Sequence, residues 1–209
     1  MHRMNTYWQL ITQLGSSSLL MPILIIGVIG LLLSRQKKAV YLWIFSLGIA
    51  VSLTLLSKIL FLGWGIGIVS LDFTGISGHT MLATSILPLL FFSVEQNSTT
   101  KFRNIGLWFG LLLSLAVGIS RVVLGMHSIS EVVAGWIFGL VVCFIAVNAI
   151  KSHRQGVAYL QLSILILVLA FGSMTPNYIP AHESAIKLAL YLSGHDKPYT
   201  RADLLKTKA

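Results

Sequence analysis

The sequence predicts an all-α fold: a polytopic membrane helical bundle of about six transmembrane helices, with an interfacial helix at its N-terminus. Three observations lead there. Of 209 residues, 56% are hydrophobic and only 10% charged, and the mean hydropathy is +0.85, values foreign to a water-soluble domain. Apolar runs close to the ~20 residues that cross a hydrocarbon layer recur along the chain. The basic residues gather at the borders of those runs and in the tail, so the formal net charge of +9 reflects topology and not nucleic-acid binding.

Taken in order, residues 1–16 place Tyr7, Trp8, Leu10, Ile11 and Leu14 among polar neighbours, which predicts an interfacial helix over about 3–16. The run 19–33 follows. No small-residue cleavage site precedes Arg35, Lys37 and Lys38, so it reads as a retained span and not a signal peptide. A second run, 40–62, carries Lys58 in its last turns, and the glycine-rich link 63–67 and a polar patch around Asp72 separate it from a third, 77–94. The polar loop 95–104 leads to runs 105–119 and 130–150, and after Lys151, His153 and Arg154 comes a sixth, 157–174. Residues 1–175 thus form the membrane domain and 176–209 a polar tail. Within the tail, 181–192 fits a short amphipathic helix, and the stretch from Ser193 is expected to be loosely ordered.

Arg35, Lys37, Lys38, Lys101, Arg103, Lys151 and Arg154 fall in loops one, three and five. The positive-inside rule puts those loops in the cytoplasm and both termini, with loops two and four, outside. Tail residues Lys187, Lys197, Arg201, Lys206 and Lys208 weigh weakly against this. The single Cys143 lies in an apolar run and supports neither an internal disulfide nor a thiolate metal cluster. His2, His153, His182 and His195 are scattered through polar segments, and no metal site is expected among them.

Two polar islands interrupt the apolar pattern, Arg121, His127 and Glu131 within 118–135, and Ser77, Gly78 and His79 within 75–80. Such residues are costly near lipid without a partner or a task. His127 and Glu131 are four apart, so on a helix they share a face and the carboxylate can hold the imidazole. Both islands belong to the outer ends of their spans, as does Lys58. Lys58 and Arg121 would attract a phosphate, which Arg121 could grip by two oxygens. Ser77 can cap the third span, whose free N–H groups and positive dipole end favour an anion. One histidine could attack phosphorus while the other protonates the leaving oxygen, without a metal; the spacing does not say which. Blander readings also fit: Lys58 snorkelling to the interface, Ser77 as a cap only, His79 as a first-turn polar residue, and Arg121, His127 and Glu131 as a structural network. Gly106 and Gly110, and Gly135 and Gly139, fit close helix packing.

The motifs resemble those of the type 2 phosphatidic acid phosphatases, which include bacterial polyprenyl diphosphate phosphatases and are related to vanadium haloperoxidases. Ser120-Arg121, His127 and Glu131 are spaced as the family's third motif, whose last position is usually Asp. Ser77-Gly78-His79 is similar to the second motif, Pro-Ser-Gly-His, with Ile76 for Pro. Lys58 corresponds to the first motif's lysine, but Gly65-Ile66 stands where Arg-Pro is expected. The resemblance implies that His127 forms a phosphohistidine, Glu131 orients it, and His79 protonates the leaving group. Lys58, Ser77, Gly78 and Arg121 would bind the phosphoryl oxygens. It implies a bacterial inner-membrane phosphatase, without metal or cofactor, acting on a lipid phosphate in the bilayer, and the loop charges turn its site to the periplasm. Undecaprenyl diphosphate, phosphatidic acid, phosphatidylglycerophosphate and lipid A phosphate are the candidates. The missing Arg-Pro keeps open a catalytically weak lipid-phosphate binding or transport protein, and transfer to another lipid makes a phosphotransferase the further alternative. Asp72, an unhelpful neighbour for an anion, is expected to point away or to pair with Lys58 or Arg121. Oligomeric state is left open.

Overall fold

A computed structural model of the chain describes residues 2–95, 105–150 and 181–206. The predicted run 157–174, Lys101, Arg103, Lys151, His153, Arg154 and Lys208 lie outside them. Helices follow one another as α1 (His2–Gln13), α2 (Ser17–Leu33), α3 (Lys37–Trp64), α4 (Gly78–Glu95), α5 (Ile105–Val123), α6 (Ile129–Ala149), α7 (Ala181–Ser193) and α8 (Arg201–Lys206). Among the described residues no strand forms, and a single bridge between Ile68 and Phe73 shapes the link from α3 to α4. The stretches Thr6–Leu33, Lys37–Trp64, Ile105–Val123 and Ile129–Ala149 are long and apolar enough to cross a membrane, and α4 is apolar but shorter. The protein is an all-α membrane helical protein.

Helix α4 is the hub, packed against α2, α3, α5 and α6. Its side chains are buried on nearly every face, from Met81 through Ala83, Ile86, Leu87, Leu89 and Leu90, as befits a helix apolar all round. Its buried hydroxyls satisfy themselves locally. Thr84 donates to the Thr80 carbonyl at 2.8 Å and Ser85 to that of Met81 at 2.7 Å, the back-bonding open to such residues in a helix. Trp43 reaches in from α3 and donates its indole N–H to the Ser85 carbonyl at 3.1 Å. The surrounding helices turn Phe45, Leu112, Ile137 and Phe144 outward, the surface that lipid would cover.

Glycines set how closely these helices approach. A Cβ on Gly135 would lie 2.6 Å from the Ser77 carbonyl oxygen, and one on Gly139 would lie 2.5 Å from Thr84 Cβ. Gly110 sits directly against the backbone of Pro88. Small residues here let backbones meet, which fixes α6 and α5 on the two flanks of α4.

The tail departs from its sequence-based expectation. Helix α7 forms and packs on α3, as its amphipathic pattern predicts, with Ala185 and Ala189 against Ile59 and Leu62. Residues 194–206 are ordered where looseness is expected. His195 Nδ1 lies 2.7 Å from the Gly63 carbonyl, and the Tyr199 N–H donates to the Leu62 carbonyl at 2.9 Å. Carbonyls in the last turn of a helix have no partner within it, and those of Leu62 and Gly63 find theirs in this segment. A polar stretch without periodicity gives no sign of that in sequence.

Candidate active site

One end of the bundle collects the C-terminal turns of α3 and α5 and the first turns of α4 and α6. Two positive helix ends therefore converge there. Helix α6 begins with a capping box: the Ser128 hydroxyl accepts from the Glu131 N–H at 3.4 Å while Glu131 accepts from the Ser128 N–H at 3.1 Å. The Ser-x-x-Glu pattern of 128–131 carries this start in the sequence, a capping signal separate from the His127–Glu131 spacing.

Glu131 is fully buried and surrounded by donors. Besides Ser128, the Thr74 N–H reaches Oε1 at 2.7 Å and the Thr74 hydroxyl bonds the same oxygen. His127 Nδ1 lies 2.6 Å from Oε2. Because a carboxylate only accepts, the proton sits on Nδ1 and Nε2 keeps its lone pair. The turn 124–128 presents His127, with Gly125 at φ +67 and the N–H of Met126 and of His127 both donating to the Arg121 carbonyl. Burial, the largest influence, holds the His127 imidazole below its ordinary 6.5. The Glu131 contact pulls it upward, and the Lys58 and Arg121 charges add to the lowering.

The second island meets the first at this end of the bundle. Ser77 is fully buried and its N–H donates to the Glu131 carbonyl at 3.1 Å, which ties the start of α4 to α6. Its carbonyl accepts from Met81 and its hydroxyl lies 3.0 Å from that of Thr80. Lys58 reaches over the first turn of α4, its Nζ 4.0 Å from where a Gly78 Cβ would stand. His79 lies within electrostatic range of Arg121, Lys58 and His127. The turn between α1 and α2 closes on the same place: a Cβ on Gly15 would lie 3.2 Å from that of His79. Arg121 donates through Nη1 to the Thr12 hydroxyl at 3.1 Å. Its Nε is buried with no hydrogen-bond partner among the described residues, a donor left for a ligand.

Of the two alternatives for Asp72, pairing with Lys58 or Arg121 is not what the structure shows: it pairs with Arg201, at 2.6 Å from Nη1. Arg201 was not among the residues singled out in sequence, yet its Nη2 reaches both oxygens of Glu131 at 2.8 Å. Thr200-x-x-Asp203 marks the start of α8, the Thr200 N–H donating to Asp203 at 3.0 Å. That cap is readable locally, whereas its docking on Glu131 is not.

A family model described as the PAP2 superfamily matches residues 68–155. The chain is 33% identical, over 95% of its own length and 98% of the relative's, to a Klebsiella pneumoniae protein described as an uncharacterized 22.5 kDa protein in the cps region. It is 30% identical to phosphatidylglycerophosphatase B of Bacillus subtilis (strain 168), over 69% of this chain and 76% of that one. No solved structure matches. The family match opens in the link before α4 and runs past α6, so it takes in both histidines, Arg121 and Glu131 and stops short of Arg201. With that span matched and a family phosphatase similar over most of its length, the chain belongs to the PAP2 superfamily.

Proposed function

We propose that the protein is an integral membrane phosphatase that hydrolyses a lipid phosphate or diphosphate through a phosphohistidine, without a metal. The observation that carries this reading is the 2.6 Å contact between His127 Nδ1 and the buried Glu131, beside Lys58, Arg121 and His79. In the first step the free Nε2 lone pair of His127 attacks phosphorus. The N–P bond forms as the bond to the leaving oxygen breaks, and His79 gives that oxygen its proton. Water then attacks phosphorus, its proton passes to His79, and the N–P bond breaks. Glu131 accepts the Nδ1 proton's hydrogen bond throughout and balances the charge on the ring. Lys58, Arg121 with its unused Nε, Ser77 and the Gly78 backbone at the start of α4 hold the phosphoryl oxygens.

A lipid substrate fits a site at the end of apolar helices, where a headgroup can enter while its chains stay among the outward-facing side chains. Undecaprenyl diphosphate, phosphatidic acid, phosphatidylglycerophosphate and lipid A phosphate all satisfy that geometry. The name of the Bacillus relative favours phosphatidylglycerophosphate. The site belongs to the periplasmic side of a bacterial inner membrane, given the basic loops at the opposite ends of the spans. The absent Arg-Pro motivates the second reading, a non-catalytic lipid-phosphate binder.

The test is phosphate release by purified protein in detergent with a chelator present, over those four lipids, beside His127→Ala. Wild-type release with none from the variant is the expected result. Folded wild-type protein that binds these lipids and releases no phosphate would return the binder or transporter to first place, and phosphate appearing on a second lipid would make it a phosphotransferase.

A further inference from the structure

The segment after α7 returns to the site and ends on Glu131. His195 and Tyr199 anchor it to the last carbonyls of α3, and the Tyr199 ring lies over Gly65. Gly65 closes α3 at φ +69, and a Cβ there would lie 2.9 Å from that ring. Glycine is thus required twice at this point, for the left-handed turn and for the ring above it. Two residues beyond Tyr199, Arg201 opens α8, while Leu204 is buried against the cluster of Ile59, Phe61 and Leu62. The guanidinium is divided between two carboxylates, Nη2 on Glu131 and Nη1 on Asp72.

We propose that this segment is a strap and that Arg201 is a positioning residue, acting through Glu131 to hold the His127 imidazole in place and neutral at Nε2. The inference rests on the phosphatase reading and adds to it a part of the chain outside the matched family segment. A buried carboxylate with no compensating charge would draw a second proton onto the imidazole beside it, and Nε2 would then have no lone pair for phosphorus. Arg201 supplies that compensation, its Nη2 bridging both oxygens of Glu131 and so sharing Oε2 with His127 Nδ1, a charge-assisted contact that holds the carboxylate. The groups facing His127 are Glu131 from α6, Lys58 from α3, His79 from α4 and Arg121 from α5; Arg201 bonds Glu131, and Asp72 bonds Arg201. Asp72 is the more exposed of the two carboxylates, at 41% against 0% for Glu131, so water screens its charge and Arg201 acts chiefly on Glu131. Gly65 belongs to the same exchange. A side chain where the family carries arginine would displace Tyr199 and, with it, Arg201.

The experiment uses full-length protein in detergent as wild type, Arg201→Met, Arg201→Lys, Tyr199→Ala and His127→Ala. Two quantities are read: the titration midpoint of His127 by NMR of histidine-labelled protein, assigned by its loss in His127→Ala, and kcat and KM on the best lipid phosphate. In Arg201→Met the midpoint rises by about one pH unit and kcat at neutral pH falls at least about tenfold, with KM within about twofold. Arg201→Lys keeps the charge without the fork, so its midpoint stays with wild type and part of kcat returns. Tyr199→Ala moves both quantities in the direction of Arg201→Met, by less. An unmoved midpoint in Arg201→Met overturns the proposal, as does equal loss of kcat in the Met and Lys variants, the outcome of a merely structural contact. Should Arg201→Met fail to fold by circular dichroism, the Lys and Tyr199 variants decide. A wild type that releases no phosphate overturns the phosphatase reading alone, and the His127 midpoint still decides whether Arg201 acts through Glu131.

Discussion

Glu131 does three jobs with one carboxylate: it caps α6, holds the Nδ1 proton of His127, and receives Arg201. Glu131→Gln keeps the shape and loses the charge, so kcat is expected to fall by about 10³-fold or more, by analogy with other carboxylate–histidine pairs. The pH dependence follows from the ring itself. Nucleophilic attack needs neutral His127, and burial holds its titration below 6.5. The acid limb of kcat/KM is therefore expected below 6.5, with activity lost as the pH falls through it. A limb at or above 6.5 in wild type would contradict the burial argument. Among single residues, the pair His127 and Glu131 was legible in sequence because its spacing is that of one helical turn. Arg201 was not, since its partner stands 70 residues away and nothing near it in sequence points across that gap.

At the scale of helices, contacts at Gly135 and Gly139 look alike and differ in consequence. Both touch α4 backbone or Cβ atoms, and alanine at either is expected to cost about 1–3 kcal/mol through overpacking, read as a lower thermal midpoint in detergent. Gly135→Ala presses on the carbonyl of Ser77 and is expected to lower kcat/KM as well. Gly139→Ala presses on Thr84, farther along α4, and is expected to leave kcat/KM within about twofold of wild type once folded. Equal activity losses would mean that the first turn of α4 is not positioned by α6. The spans themselves were readable from hydropathy and loop charge, and α2 to α6 appear where those signals put them. Which helix would lie at the centre was not readable, because every span is apolar and periodicity cannot separate a lipid-facing side from a protein-facing one.

Across the whole molecule, α1 and the segment 194–206 converge on one pole. Thr12 touches Arg121 and Arg201 touches Glu131. If that pole faces the periplasm, Met126→Cys, exposed in the turn beside His127, is expected to react with a membrane-impermeant maleimide in intact cells, whereas the native Cys143 is buried and stays silent. Labelling only after lysis would reverse the orientation. Gly65→Arg, which restores the residue type the family motif carries, is expected to lower turnover because it meets Tyr199; higher turnover would show that the site lacks a cation after all.

The strap also sets a clock. Arg201 is made 70 residues after Glu131, and at about 5–20 residues per second that is a delay of roughly 4–14 s. Through that interval the helices bearing both histidines already exist while the carboxylate between them lacks its guanidinium. If Arg201 positions Glu131 as proposed, full turnover waits for α8, and a ribosome that stalls before residue 201 leaves an inserted protein of lowered kcat in the membrane.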